Sequence, residues 1–257
     1  MVFDIRGRRK HVVRAVYAIL AVLMGASLFL VTGGVSLSGL FNSGGGGGGG
    51  AKVFEEQAAR IERKLAKSPE DPTLLASLIR AQISTGNAQK GFTSSGEEAL
   101  TPDTVQAWEK ASDTWSKYLK ATDEPAASTA QRMSETLFAL ANVARSYSEA
   151  ENNIVAATEA QKIVADKRPN PNSVSTLALY TMYTFDYPTA EKLGKRAGKL
   201  TSTKFERENL ENQLEETRKN AEKFQKLLVA SNKATKGAGK EAIENPLGGL
   251  GGPTLSE

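Results

Sequence analysis

The sequence predicts an all-α protein: a transmembrane helix, a glycine-rich linker, and then a solenoid of antiparallel helix pairs closed by a long helix. Three observations support this prediction. An uncharged, mostly apolar run fills residues 15–35. Seven consecutive glycines follow at Gly44–Gly50. From Ala51 onward, apolar residues recur every three or four positions, the period of a helix with one buried face.

The apolar run is predicted to be a membrane anchor. As a helix, Val12–Val35 would extend roughly 36 Å, enough to cross a hydrocarbon core of about 30 Å. A basic stub, residues 1–14, precedes it, and the positive-inside rule places such a stub in the cytoplasm. We therefore expect a single-pass cell membrane protein with an extracytoplasmic C-terminal domain. The residues that set this orientation are Arg6, Arg8, Arg9, Lys10 and Arg14.

A cleaved signal peptide is the alternative interpretation of the same segment. In that case residues 32–39 would form the small-residue cleavage region, and the domain would be secreted. The apolar core of a signal peptide usually runs about 7 to 15 residues. Here seventeen residues, Ala15–Val31, carry no charge, and no clear A-x-A site follows. This length favours the anchor.

The segments that flank the helical domain are predicted from their glycine content. Residues 36–50 form a linker with a root-mean-square reach of roughly 15 Å. Residues 231–257 contain repeated glycines and few large apolar groups, which is typical of a disordered tail. The domain between them, residues 51–230, is long enough to bury a core.

Within this domain, proline-containing and polar stretches divide the apolar pattern into successive helices. Thr101-Pro102-Asp103 combines an N-cap, a proline at N1 and an acid in the first turn. Trp108 and Trp115, seven residues apart, are predicted to share a buried face. The insertion 86–100 interrupts the first pair as either a mobile loop or a tolerated surface excursion. The predicted helices are centred on Phe54–Leu65, Leu75–Ile83, Thr101–Ala121, Met133–Tyr147, Ile154–Val164, Val174–Met182, Ala190–Leu200 and Thr203–Ala230.

Two stretches carry motifs of a known helical repeat. Pro169-Asn170-Pro171 precedes one helix, and Phe185-Asp186-Tyr187-Pro188-Thr189-Ala190 forms the turn to the next. These motifs resemble the tetratricopeptide repeat (TPR), whose turn commonly reads Gly-Asp/Asn-Tyr-x-x-Ala. Phe185 replaces the usual glycine, and Gly194 stands where a bulky aromatic is normal. Pro69–Asn87 resembles the first half of another unit, so the repeats are degenerate.

The resemblance implies a protein-binding scaffold. In TPR folds, the first helices of successive pairs line a groove that takes peptides or partner helices. Here that implies an adaptor for envelope or secretion partners, similar in plan to single-span bacterial TPR proteins at the secretion channel. By this resemblance, the residues expected to line the groove are Arg80, Ile83, Leu179, Met182 and Tyr183.

Self-association as a structural spacer is the alternative function. Leu210, Leu214, Thr217, Ala221, Phe224 and Leu228 follow 4-3-4-3-4 spacing, which fits either a coiled-coil seam or a helix that caps the solenoid. Ala21 and Gly25 form a small-xxx-small pair that could join two anchors. The capping interpretation is favoured because Thr217 and Ala221 suit a seam poorly.

The composition argues against an enzyme and against nucleic-acid binding. The one histidine, His11, lies in the basic stub, and the chain has no cysteine. Thiol and histidine chemistry are therefore not expected in the domain, and we expect no cofactor and no metal. From residue 15 onward, acidic and basic residues are equal in number, whereas nucleic-acid binding needs an excess of Lys and Arg.

Overall fold

A computed structural model of the chain describes residues 49–92, 98–234 and 254–255. These residues all belong to one unit of the chain, 47–257. They form α-helices with three very short strands, which confirms the all-α class over this part of the chain. The basic stub, the predicted membrane helix and residues 36–48 of the predicted linker lie outside the described residues. Among the described helices, none combines the length and the apolar character needed to span a membrane.

The helices follow one another with mostly short connections. Their bounds are α1 Gly49–Leu65, α2 Pro72–Ala88, α3 Pro102–Ala121, α4 Ala127–Asn142, α5 Tyr147–Lys167, α6 Pro171–Tyr183, α7 Tyr187–Leu200 and α8 Lys204–Ala234. The strands are β1 Gly91–Phe92, β2 Glu98–Leu100 and β3 Thr254–Leu255. Gly49 and Gly50, assigned to the linker from the sequence, begin α1 instead.

Side-chain caps explain where several helices begin. The Asp71 carboxylate accepts hydrogen bonds from the backbone N–H groups of Thr73 and Leu74. Asn170 and Ser173 form a reciprocal capping box at the start of α6. The Asp186 carboxylate accepts from the N–H of Thr189. Hydrogen bonding with the Thr189 side chain, and then with this N–H, holds the pKa of Asp186 below its usual value. Each of these helices has proline at its first or second position, where the missing N–H costs nothing.

One predicted helix boundary was wrong, because side-chain caps start a helix where the apolar pattern does not show a break. The apolar pattern predicts one helix over Met133–Tyr147, and Asn152-Asn153, where the pattern is weak, predicts the turn that follows it. In the structure α4 ends at Asn142, and the turn lies at residues 143–146. Ser146 Oγ accepts from the N–H of Glu149, and the Glu149 carboxylate accepts from the N–H of Arg145. This reciprocal capping starts α5, and Asn152 lies inside that helix.

The helices pack as three consecutive pairs, α2–α3, α4–α5 and α6–α7. The turns of α4–α5 and α6–α7 are so short that the helices of each pair run antiparallel. Helix α1 packs against α2, and α8 packs against α5, α6 and α7. The main core runs through α2 to α6 and includes Trp115. Trp108 is also buried, so the predicted burial of both tryptophans is confirmed.

Helix α8 places the 4-3-4-3-4 stripe against its own chain. Leu210, Thr217, Ala221, Phe224 and Leu228 are all buried, and Leu214 is partly buried. Phe224 lies among aromatic rings of three neighbouring segments, Tyr147, Tyr183 and Phe185, with ring centroids 5.9–6.3 Å away. The stripe therefore covers the end of the last helix pairs, and in this structure it is not open as a seam for a second copy. Ala21 and Gly25 lie outside the described residues.

The three strands were not expected from the sequence. β1 and β2 pair antiparallel within the 86–100 insertion, with Gly91 opposite Ala99. β3 pairs parallel to β2, with Ala99 opposite Thr254 and Leu100 opposite Leu255. Thr254–Leu255 lies within residues 231–257, the segment whose glycine content predicts a disordered tail, and the structure places a short strand there. Strands of two or three residues are too short to show a period of two.

Phe185 adopts the left-handed conformation at the turn between α6 and α7, with φ at 64°. A glycine would adopt this conformation without strain, whereas a bulky side chain costs about 1 to 2 kcal/mol. The ring is held by packing against Phe224, at 5.9 Å between centroids.

We expect the Phe185→Gly variant to be more stable than Phe185→Ala by about 1 kcal/mol. Both variants lose the ring, but only alanine keeps the cost of the positive φ. Urea unfolding of the two variants, followed by far-UV circular dichroism, measures the difference. Equal midpoints would show that the left-handed conformation costs nothing here.

Candidate partner-binding groove

The structure separates the five residues predicted to face a partner. Arg80 is exposed on α2, and Leu179 is partly buried on α6. Ile83, Met182 and Tyr183 are buried in the interior, and Tyr183 is 0% exposed. Met182 and Tyr183 are covered because α6 is packed by α5, α7 and α8, whereas Ile83 lies on α2 and packs in the main core. These three side chains are therefore not available to a partner in this structure.

The hydroxyl of Tyr183 is buried without a hydrogen-bond partner among the described residues. Burial also raises the pKa of Tyr183 well above its usual value, so the group stays neutral. Leaving a buried polar group unpaired costs about 1 to 3 kcal/mol. The Tyr183 ring lies in an aromatic cluster, beside Phe138 and Phe224. The ring therefore contributes to packing, whereas the unpaired hydroxyl lowers stability.

We expect Tyr183→Phe to leave stability unchanged or to raise it by up to about 1 kcal/mol, because the variant removes the unpaired hydroxyl. Tyr118→Phe is the matched control, since the Tyr118 hydroxyl accepts from the N–H of Ala126 at 2.9 Å. That variant should lose about 1 kcal/mol. Thermal unfolding compares them, and a loss of stability in Tyr183→Phe equal to that in the control would contradict the assignment.

A groove of about 600 Å³ remains open between α4 and α6, the first helices of two successive pairs. The C-terminal end of α5 and the turn that follows it complete its wall. Most of its side chains are uncharged and polar. The lining residues are Gln131, Glu135, Gln161, Val164, Arg168, Asn170, Asn172, Ser173, Thr176 and Tyr180.

Gln161 fixes the floor of this groove. Its side-chain oxygen accepts from Ser134 Oγ on α4 at 2.8 Å, and its amide nitrogen donates to the carbonyl of Ser173 on α6 at 2.9 Å. All three residues are buried. Because both ends of the amide are paired, α4, α5 and α6 are held in register around the groove.

Tyr180 and Glu135 face the groove from opposite helices. The Tyr180 ring stacks on Phe138, with centroids 4.2 Å apart and planes 7° apart. Burial raises the pKa of the Tyr180 hydroxyl, and the negative charge of Glu135 adds to the effect. The hydroxyl therefore remains a hydrogen-bond donor. The Glu135 carboxylate accepts from Gln131 Nε2 at 3.2 Å and remains exposed.

The spacing of the groove residues matches an extended peptide. Asn172, Thr176 and Tyr180 are four residues apart along α6, and Gln131 and Glu135 are four apart along α4. Four residues of helix rise about 6 Å. Two residues of an extended chain rise about 6.6 Å. Donors and acceptors on both walls therefore recur at nearly the same interval as the main-chain N–H and C=O groups of an extended peptide.

The groove carries one acidic and one basic side chain. Glu135 and Arg168 are its only ionisable side chains besides Tyr180, and their charges cancel. Across the described part of the chain, no three His, Cys, Asp or Glu side chains are placed to hold a metal ion. The arrangement can form hydrogen bonds with a polar ligand.

A second groove, of about 730 Å³, lies between α7 and α8 and is more apolar. Gly194 and Gly198 line it, one turn apart on α7. A Cβ at Gly194 would lie 2.6 Å from Leu214 Cδ1, so the absence of a side chain lets α8 approach closely. This accounts for the glycine at position 194, because α8 occupies the space that a side chain would need.

The sequence could not have identified the α4–α6 groove. Gln131, Glu135 and Thr176 have no distinguishing motif, and polar residues on a helix usually lie on a solvated face. The proline before α6 signalled only where the helix begins.

Comparisons with protein-family models, with curated proteins and with solved structures found no match for this chain. The fold and site themselves define its class: an all-α protein of consecutive helix pairs with a polar groove between the first helices of two pairs.

Proposed function

We propose that this protein is a membrane-anchored adaptor whose TPR-like helix pairs bind peptide or helical segments of envelope or secretion partners on the extracytoplasmic side. The observation that carries the proposal is the open, electrically balanced polar groove between α4 and α6. The basic stub followed by the apolar run at residues 15–35 supports the anchor and its orientation.

The groove favours an extended polar peptide among these ligands. An apolar face of a partner helix would need a hydrophobic groove, as in other helix-in-groove complexes. Here the amides of Gln131 and Asn172, together with the hydroxyls of Thr176 and Tyr180, are suited to main-chain N–H and C=O groups. Because Gln161 fixes the floor before binding, little ordering entropy is lost in the scaffold.

Site-specific photo-crosslinking in cells tests the proposed groove. A crosslinker at Gln131 or at Thr176 should capture the same partner, identified by mass, because both residues line the groove. A crosslinker at Glu159, exposed on the outer side of α5, is the matched control and should not capture it. Equal capture from all three positions, or capture from Glu159 alone, would contradict the groove.

Filling the groove provides a second test. Thr176→Trp should abolish capture from Gln131, whereas Glu159→Trp should leave it intact. Far-UV circular dichroism of both variants checks that the helices are preserved. Undiminished capture in Thr176→Trp would place the partner elsewhere on the protein.

The orientation is tested separately with protease added to intact spheroplasts. The proposal expects digestion of the helical domain without permeabilisation. A domain that becomes sensitive only after the membrane is opened would place it in the cytoplasm.

A further inference from the structure

The middle strand β2 has partners on both of its edges. β1, from the same insertion, pairs antiparallel to it, whereas β3 comes from the C-terminal end of the chain and runs parallel. The β2–β3 ladder joins parts of the chain more than 150 residues apart. Pairing of this kind adds a strand to a pre-existing edge, a common mode of peptide recognition.

The β2 edge is positioned by the helical core. Ala99 and Leu100 are fully buried, and Leu100 packs in one cluster with Trp108, Leu140 and Val143. Thr101 Oγ1, directly after the strand, donates to the carbonyl of Gln89 at 2.8 Å and so closes the base of the insertion. The edge is therefore presented by α2, α3 and α4 rather than by a free loop.

The β2–β3 ladder is too short to be strong. It contains two residue pairs, and even an isolated two-stranded hairpin is marginally stable in water. What favours it is the covalent connection. Nineteen residues, 235–253, join α8 to β3, and six of them are glycine. The connection makes this pairing intramolecular, so a separate strand of the same sequence has to compete with an occupant that is always close to the edge.

We propose that the β2 edge is a docking site for an extended segment that runs parallel to it, and that the C-terminal segment around Thr254–Leu255 is its resident, displaceable occupant. Thr254 suits this role, because threonine is common in strands. The C-terminal segment thus keeps an otherwise exposed strand edge paired. This proposal is independent of the α4–α6 groove.

Hydrogen exchange of the full chain in detergent tests whether the edge is occupied. We compare the full chain with a variant that lacks residues 251–257 and with a control that lacks only residues 256–257, beyond the ladder. The first deletion should speed exchange of the backbone amides at residues 98–101 by about tenfold or more, and the control should not. Identical exchange in all three proteins would overturn the proposal.

A synthetic peptide of residues 251–257 tests whether the edge binds in trans. It should bind the variant lacking 251–257 about tenfold or more tightly than it binds the full chain, and it should restore protection at residues 98–101. The same peptide with Leu255→Pro should fail, because proline removes a backbone donor and disfavours the strand. Equal binding of both peptides, or equal binding to both proteins, would overturn strand addition. Crosslinking from Gln131 should be unaffected by the deletion, so the groove and this edge are tested separately.

Discussion

Replacing Phe224 with alanine is expected to lower the free energy of unfolding by about 3 to 5 kcal/mol. The Phe224 side chain is 1% exposed and lies at the centre of the second core cluster. Its ring contacts aromatic rings from three other segments, and such pairs contribute about 0.5 to 1.5 kcal/mol each beyond the burial of area. Removing the ring therefore leaves a cavity at the point where α8 covers the preceding helix pairs.

Phe205→Ala is the matched control on the same helix. Phe205 is 71% exposed near the start of α8, so its truncation should change stability by less than about 0.5 kcal/mol. Urea unfolding measures both variants. Hydrogen exchange adds a local readout, because Phe224→Ala should release the C-terminal half of α8 before the rest of the domain unfolds. Similar losses in the two variants would show that α8 does not cap the domain through Phe224.

The sequence was sufficient to predict features that depend on local chemistry. Except at the boundary between α4 and α5, the amphipathic period placed the helices, and Pro102 and Pro171 marked two of their starts. The burial of Trp108 and Trp115 followed from their spacing on one face. Each of these predictions depends on residues within one or two turns of one another, so no knowledge of the packing between helices was required.

Predictions that depended on which helix covers which face could not be made from the sequence. Tyr183 and Met182 are on the helix that was expected to line a groove, but α8 packs on that helix and buries them. The need for glycine at position 194 comes from Leu214 on α8, which packs against it and lies twenty residues further along the chain. The Gln161 contacts to Ser134 and Ser173 join residues up to 27 positions apart, and no periodic signal marks them.

Gly86→Ala is expected to destabilise the domain by about 2 kcal/mol, although alanine usually favours a helix over glycine by about 0.5 to 1 kcal/mol. Gly86 lies in the last turn of α2, where the sequence alone suggested the helix end. A Cβ there would lie 2.5 Å from Cδ1 and Nε1 of the Trp108 ring and 3.1 Å from the carbonyl oxygen of Thr104. The two distances to the ring are too short for real contacts, and the third is tight, so the helices or the ring must move.

The Trp108 ring has little room to move. It is buried against Leu100, Leu140 and Val143, and its Nε1 donates to the carbonyl of Ile83 at 3.4 Å. The Thr104 hydroxyl also donates to the carbonyl of Gly86 at 3.1 Å, which ties α3 to the same turn of α2. Overpacking at such a site is relieved only by displacing several elements, including the base of the β1–β2 insertion.

The test compares Gly86→Ala with Gly50→Ala and with a double variant. At Gly50 a Cβ would lie 3.8 Å from Ala88 Cβ, an ordinary contact, so Gly50→Ala should not lose stability. Trp108→Leu alone should be destabilising, but Gly86→Ala should cost much less in that background, because the ring that it collides with is gone. If the two substitutions were instead additive in urea unfolding, close packing of Gly86 on Trp108 would not be the reason that this position holds glycine.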